Sequence, residues 1–105
     1  MDGKTTIKYL QTYIRQKDYR PELTKDYFLK LTEEVGELAN AIRKDAKATD
    51  LDHLTGSIDE ELWDVMYYAL ALANLYDIDM EQVIKAKSTL NESRYPSPVS
   101  FEENR

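Results

Sequence analysis

From Ile58 to Tyr76 the chain is apolar nearly all the way round a helix, yet Glu61 and Asp64, beyond the acidic first residues Asp59 and Glu60, are embedded in that run. Such a helix belongs at the centre of a bundle. Ser57, with Glu60 three residues later, reads as a capping box that opens it. Upstream, Thr24 to Ala46 carries Phe28, Leu31, Val35, Leu38 and Ile42 at spacings of three and four, a single apolar stripe along about six turns. A first helix is predicted from Thr6 to Lys17, with Ile7, Leu10 and Ile14 on one face. Arg20-Pro21 interrupts the chain after it, because the residue before proline disfavours helical backbone. A fourth helix starts at Asp79, whose cap pairs with Gln82, and ends near Ser93. Pro96 and Pro98 then stop regular structure. No strand pattern is present, so the expected fold is all-α. It is a four-helix bundle-like domain over residues 1–96 with an extended tail over 97–105.

A chain of 105 residues suits one domain. Scaling relations for 12.3 kDa leave roughly 6,000 Å² exposed, a modest core that an identical partner can enlarge. The absence of cysteine excludes disulfides, thiolate zinc sites, iron–sulfur clusters and a cysteine nucleophile. One histidine, His53 in the polar loop, cannot supply the paired histidines of a catalytic zinc motif and is expected to be solvated. With 14 Lys+Arg against 20 Asp+Glu, the net charge of −6 argues against a duplex nucleic-acid binder. No run approaches ~20 apolar residues, so no membrane partner is expected and a cytoplasmic setting is.

The acids carry the chemistry. Glu34 and Glu37 lie one turn apart on the second helix, as Glu61 and Asp64 do on the third. In an antiparallel hairpin, facing residues have a constant sum of numbers. Glu37 with Glu61 and Glu34 with Asp64 share that sum, and the implied turn centre is Thr49, inside the polar stretch Lys47–Gly56. Four carboxylates gathered beside a core repel one another, by about 1 kcal/mol per pair at ~4 Å in water and about 4 at an intermediate dielectric. Protonation, pairing with bases or a bound cation would relieve this. All-oxygen ligation selects Mg²⁺, or Mn²⁺ as substitute, over zinc. Solvated acids on helix faces are the ordinary alternative.

Lys87, Asn91 and Arg94, spaced i, i+4, i+7, fall on one helix stripe and suit phosphate or nucleoside recognition. An exposed C-terminal face favoured by the helix dipole is the other reading. Tyr68, one turn after Asp64, could hydrogen-bond a carboxylate, contact a ligand bound there or pack in the core. Lys30, one turn before Glu34, could neutralise the acids or meet a phosphate. Trp63 points away from the acids toward the core or a subunit interface, and Gly36 projects away from Glu34.

Glu33-Glu34-Val35-Gly36-Glu37-Leu38 followed by Glu61-Leu62-Trp63-Asp64 resembles the EExxE…ExxD signature of MazG-type all-α nucleoside triphosphate pyrophosphohydrolases. The run from Lys87 through Asn91 to Arg94-Tyr95-Pro96 is similar to that family's closing motif. The resemblance implies Mg²⁺-dependent cleavage of a nucleoside triphosphate between the α and β phosphates, giving monophosphate and pyrophosphate. It implies Glu34, Glu37, Glu61 and Asp64 as metal ligands. Glu33 would activate water or support the ligands, and Glu37 is the other candidate to take the water's proton. It also implies a homodimer or homotetramer. A non-catalytic helical adaptor or nucleotide-binding relative is the alternative. A di-iron bundle is disfavoured because no Glu-x-x-His motif exists.

Overall fold

The computed structural model describes residues 4–101. Four helices account for its regular structure: α1 (Ile7–Lys17), α2 (Thr24–Arg43), α3 (Ile58–Leu75) and α4 (Met80–Arg94), with single 3-10 turns at Pro21–Leu23 and Leu51–His53. The described residues form no strand. Residues 102–105 of the expected tail lie outside the described region, and no described helix is long and apolar enough to cross a membrane.

The helix starts follow the caps. Thr6, Ser57 and Asp79 accept from Tyr9, Glu60 and Glu81 backbone N–H groups respectively. The capping box at α3 closes one residue early, because the Glu60 carboxylate accepts from Gly56 N–H at 2.9 Å. At its far end α2 stops three residues short of the predicted Ala46. Asp45 adopts φ 54° and Ala46 N–H returns to the Ala41 carbonyl at 3.0 Å, a Schellman-type stop made without glycine. Asp77 ends α3 the same way.

α2 and α3 form the antiparallel hairpin that dominates the fold, and α1 packs across α3. The core consists of Ile14, Tyr27, Leu70 and Ala71, with Leu10, Leu23 and Leu72 among the residues packed around it. α1 is tied down by polar groups that the periodicity argument passed over. Gln11 and Asn74 are both buried, and Gln11 Nε2 donates to Asn74 Oδ1 at 3.1 Å and to the Ile78 carbonyl at 2.9 Å. Asn74 Nδ2 donates to the Gln11 carbonyl, and Met80 N–H to Gln11 Oε1, so these amides stitch α1 to the α3–α4 turn. At the other end of α1, the Tyr27 and Tyr67 hydroxyls both donate to the Asp18 carboxylate, joining three helices at one point.

The apolar stripe of α2 differs from expectation. Phe28, Val35 and Ile42 are about half exposed, whereas Tyr27, Glu34 and Ala41 are buried. The packed side of α2 is therefore centred on Glu34, with Leu31 and Leu38 of the predicted stripe half-buried and Phe28, Val35 and Ile42 on its exposed edge. On α3, Leu62, Met66 and Trp63 are also exposed, so this helix is not enclosed on all sides by its own chain. The chain exposes 8134 Å² against roughly 6,000 Å² for a compact protein of this mass, and its radius of gyration is 16.1 Å against about 13 Å.

Candidate active site

The hairpin register brings the acids together. Glu34 on α2 and Glu61 and Asp64 on α3 each present a carboxylate oxygen within 4.8 Å of the other two. Glu34 and Glu61 are only 6% and 7% exposed, a placement that carboxylates without partners do not tolerate. Glu37 follows at the open rim. It is exposed, and its charge acts on all three of the others.

The electrostatics follow from that crowding. Burial, then the charge of Glu37, pushes the Glu34 carboxyl up to about 7. Burial also raises Glu61 and Asp64, with the neighbouring acids adding to it. Lys30 supplies local compensation: its Nζ lies 3.4 Å from Glu33 Oε1 and 3.9 Å from Glu34 Oε1. Tyr68 packs edge-on against Tyr67 and lies within the fields of Glu34, Asp64 and Lys30, with burial raising its hydroxyl. Lys30 and Tyr68 thus lie beside the cluster, and Tyr68 also packs against the hydrophobic core. Trp63 meets Tyr67 edge-on at 6.0 Å, away from the acids. Gly36 faces open space, and exposed His53 pairs with Asp50 at 2.7 Å in the loop.

A cation fits this pocket on the evidence of two atoms. Glu34 Oε2 and Glu61 Oε2 are buried without a hydrogen-bond partner in the protein. Such oxygens cost about 1–3 kcal/mol each, more when charged, unless something occupies the space between them. The donor set is all oxygen, which suits a hard divalent ion.

The basic motif is not drawn into this cluster. α4 packs on α1 and forms no comparable interface with α2 or α3. Neither Lys87 nor Arg94 figures among the main influences on Glu34, Glu61 or Asp64. Asn91 instead lines a cavity under the C-terminal tail with Tyr95 and Phe101.

Fold and pocket together define an all-α protein with a carboxylate cluster that could hold a metal ion between two antiparallel helices. Residues 23–98 match the MazG nucleotide pyrophosphohydrolase domain. The chain belongs to that family. It is similar to the iMazG of Vibrio DAT 722, whose N-terminally tagged crystal form superposes with a TM-score of 0.82 at 44% identity over 89% of this chain and all of that one. The C-terminally tagged form gives 0.80 at 45% identity, covering 84% and 99%. The uncharacterized protein YpjD of Bacillus subtilis (strain 168) is 41% identical over 88 residues, 73% of this chain and 75% of that protein.

Proposed function

We propose that this protein hydrolyses a nucleoside triphosphate to the monophosphate and pyrophosphate with Mg²⁺ held by Glu34, Glu37, Glu61 and Asp64, Mn²⁺ being able to substitute. The observation that carries the reading is the pair of buried, partnerless oxygens on Glu34 and Glu61 in an all-acid cluster. A divalent ion bound there would neutralise phosphate charge and acidify water for attack.

The remaining steps fall to side chains. Glu37, at the exposed rim, and Glu33, paired with Lys30, are the two candidates to take the proton of the attacking water. Lys30 and Tyr68 border the same space and serve the phosphates or the sugar. Lys87, Asn91 and Arg94 supply phosphate donors. An acidic protein binds an anionic substrate here through its cation and these few bases. Duplex nucleic acid is not a partner in this reading, and the setting is cytoplasmic. The half-exposed apolar residues of α2 and α3 meet those of an identical chain, as a homodimer or homotetramer.

The direct test incubates the protein with dCTP, dUTP and a broad panel of other triphosphates plus Mg²⁺ and identifies the products. Monophosphate with pyrophosphate is expected. Orthophosphate alone, or no turnover on any member of the panel, overturns the assignment in favour of a binding adaptor. Glu61→Gln should remove activity while the helical circular dichroism is retained.

A further inference from the structure

Three tyrosines meet where α1, α2 and α3 come together, and the fold uses them differently. The Tyr27 hydroxyl donates to Asp18 Oδ1, and the Tyr67 hydroxyl donates to Asp18 Oδ2 at 2.9 Å. The third, Tyr68, is not drawn into that arrangement. Burial and the charges of Lys30, Asp18, Glu34 and Asp64 act on its hydroxyl, and no described residue takes it in a hydrogen bond. Two phenols are thus spent on one carboxylate, and the one beside the acid cluster is kept for a ligand.

Tyr67 stands between Asp18 and that free hydroxyl. Its own hydroxyl is fixed by Asp18, and Lys17 Nζ lies 5.5 Å from its ring centroid. Trp63 meets it edge-on at 6.0 Å, and Tyr68 packs against it at 5.1 Å with 71° between the rings. Aromatic pairs at such separations attract only in certain orientations, so the angle of one ring constrains that of the other. Asp18 itself is an unfavourable choice if helix stability were its only task. It is the C-cap of α1, where its N–H bonds the Ile14 carbonyl at 2.8 Å, so its carboxylate stands at the negative end of the helix dipole. A lysine or asparagine would suit that end better. What a carboxylate adds is two charged acceptors, each a stronger holder of a phenol than a neutral oxygen.

We propose that Asp18 and Tyr67 are positioning residues for Tyr68. The carboxylate at the end of α1 anchors the Tyr67 ring, and that ring sets the direction in which the Tyr68 hydroxyl meets a substrate bound at the acid cluster. The inference rests on the pyrophosphohydrolase reading and adds two residues that belong to neither the acidic nor the basic motif. Asp18 and Tyr67 lie outside the group of Glu34, Glu61 and Asp64 that could hold a metal ion, so their work falls on the nucleotide and not on the cation.

The test is a double-mutant cycle. Tyr67→Phe keeps the ring and removes its bond to Asp18. In the wild-type background it should raise KM about 5–10-fold with kcat within about twofold. It should weaken calorimetric binding of the α,β-methylene analogues of dCTP and dUTP, with Mg²⁺, by the same factor. In a Tyr68→Phe background the same change should have no further effect, because the hydroxyl being positioned is gone. If Tyr67 only held the fold together, its loss would weaken binding equally in both backgrounds, and equal factors overturn the proposal. So does a Tyr67→Phe or a Tyr68→Phe protein that binds as tightly as wild type. Asp18→Asn, which keeps one carbonyl acceptor, should fall between wild type and Asp18→Ala. A second readout needs no substrate. In protein labelled with ¹³C-tyrosine, Tyr67→Phe should shift or broaden the Tyr68 ring signals and leave those of Tyr9 in place, and unchanged Tyr68 signals overturn the proposal. Helical circular dichroism verifies folding, and Asp18→Asn replaces Tyr67→Phe if that variant is unstable. Should the wild type bind the analogues but hydrolyse nothing, the activity assignment fails and the binding cycle still decides the question. Should it bind neither analogue, both fail.

Discussion

At the scale of single residues, the crowding of Glu34, Glu61 and Asp64 makes the metal-free protein sensitive to pH in a defined direction. Burial and the neighbouring Glu37 carry Glu34 from 4.5 to about 7, and Glu61 and Asp64 are raised as well. Over that interval the native state holds protons that the unfolded chain has released. Stability from these groups is therefore fully present below about 4.5 and is lost as pH rises to about 7. Thermal melts in chelator should show the midpoint falling across this window, and saturating Mg²⁺ should flatten the fall because the ion replaces the proton. Glu34→Gln removes one of the repelling charges. It should raise metal-free stability at pH 8 by about 1–3 kcal/mol while lowering turnover at least ~100-fold. Identical pH slopes in wild type and variant would show that the cluster is not the source. These acids were legible in the sequence because a helical hairpin obeys a simple sum of residue numbers. Their burial was not, since it depends on which side of α2 meets α3.

At the scale of elements, hydrophobic period and capping chemistry located all four helices, but they treated polar residues inside apolar stripes as noise. Gln11 lies within the Ile7–Leu10–Ile14 face and Asn74 within the most apolar helix. Their amides hold α1 against the hairpin through both side-chain and backbone bonds. A glutamine and an asparagine each occupying a core position were the available signal, and nothing in either stripe indicated that one completed the other. Asn74→Ala removes both bonds between Asn74 and Gln11, leaving the Gln11 amide its bonds to Ile78 and Met80, and should cost about 1–3 kcal/mol in urea unfolding. Destabilisation below 0.5 kcal/mol, with an unchanged denaturant slope, would mean that water satisfies Gln11 equally well. The end of α2 was misjudged for a related reason. The left-handed turn at Asp45 occurs without the glycine that normally announces it, so composition alone ran the helix on to Ala46.

At the scale of the whole molecule, the residues that the period argument assigned to one core belong to two surfaces. Tyr27, Glu34 and Ala41 of α2 pack within the chain, whereas Phe28, Val35 and Ile42 stay about half exposed. Leu62 and Met66 on α3 and Tyr76 just after it are exposed as well, and Phe28 and Tyr76 line one shared hollow with Leu72. One sequence pattern can specify burial in its own fold and burial against a copy, and periodicity does not separate the two. Ile42 stands at the end of α2 away from the lysine and acids of the pocket, which makes it the cleanest place to separate assembly from site. Ile42→Glu puts a charge into the apolar seam without touching a carboxylate of the cluster. Sedimentation should show wild type as an oligomer and the variant shifted toward the 12.3 kDa chain. Mg²⁺ should still raise the variant's melting temperature, because Glu34, Glu61 and Asp64 lie within one hairpin. Triphosphate turnover that falls with the loss of oligomer and recovers as protein concentration is raised would tie the reaction to assembly. A variant that stays monomeric at every concentration and turns over at the wild-type rate would place the entire reaction within one chain and leave the exposed seam to some other purpose.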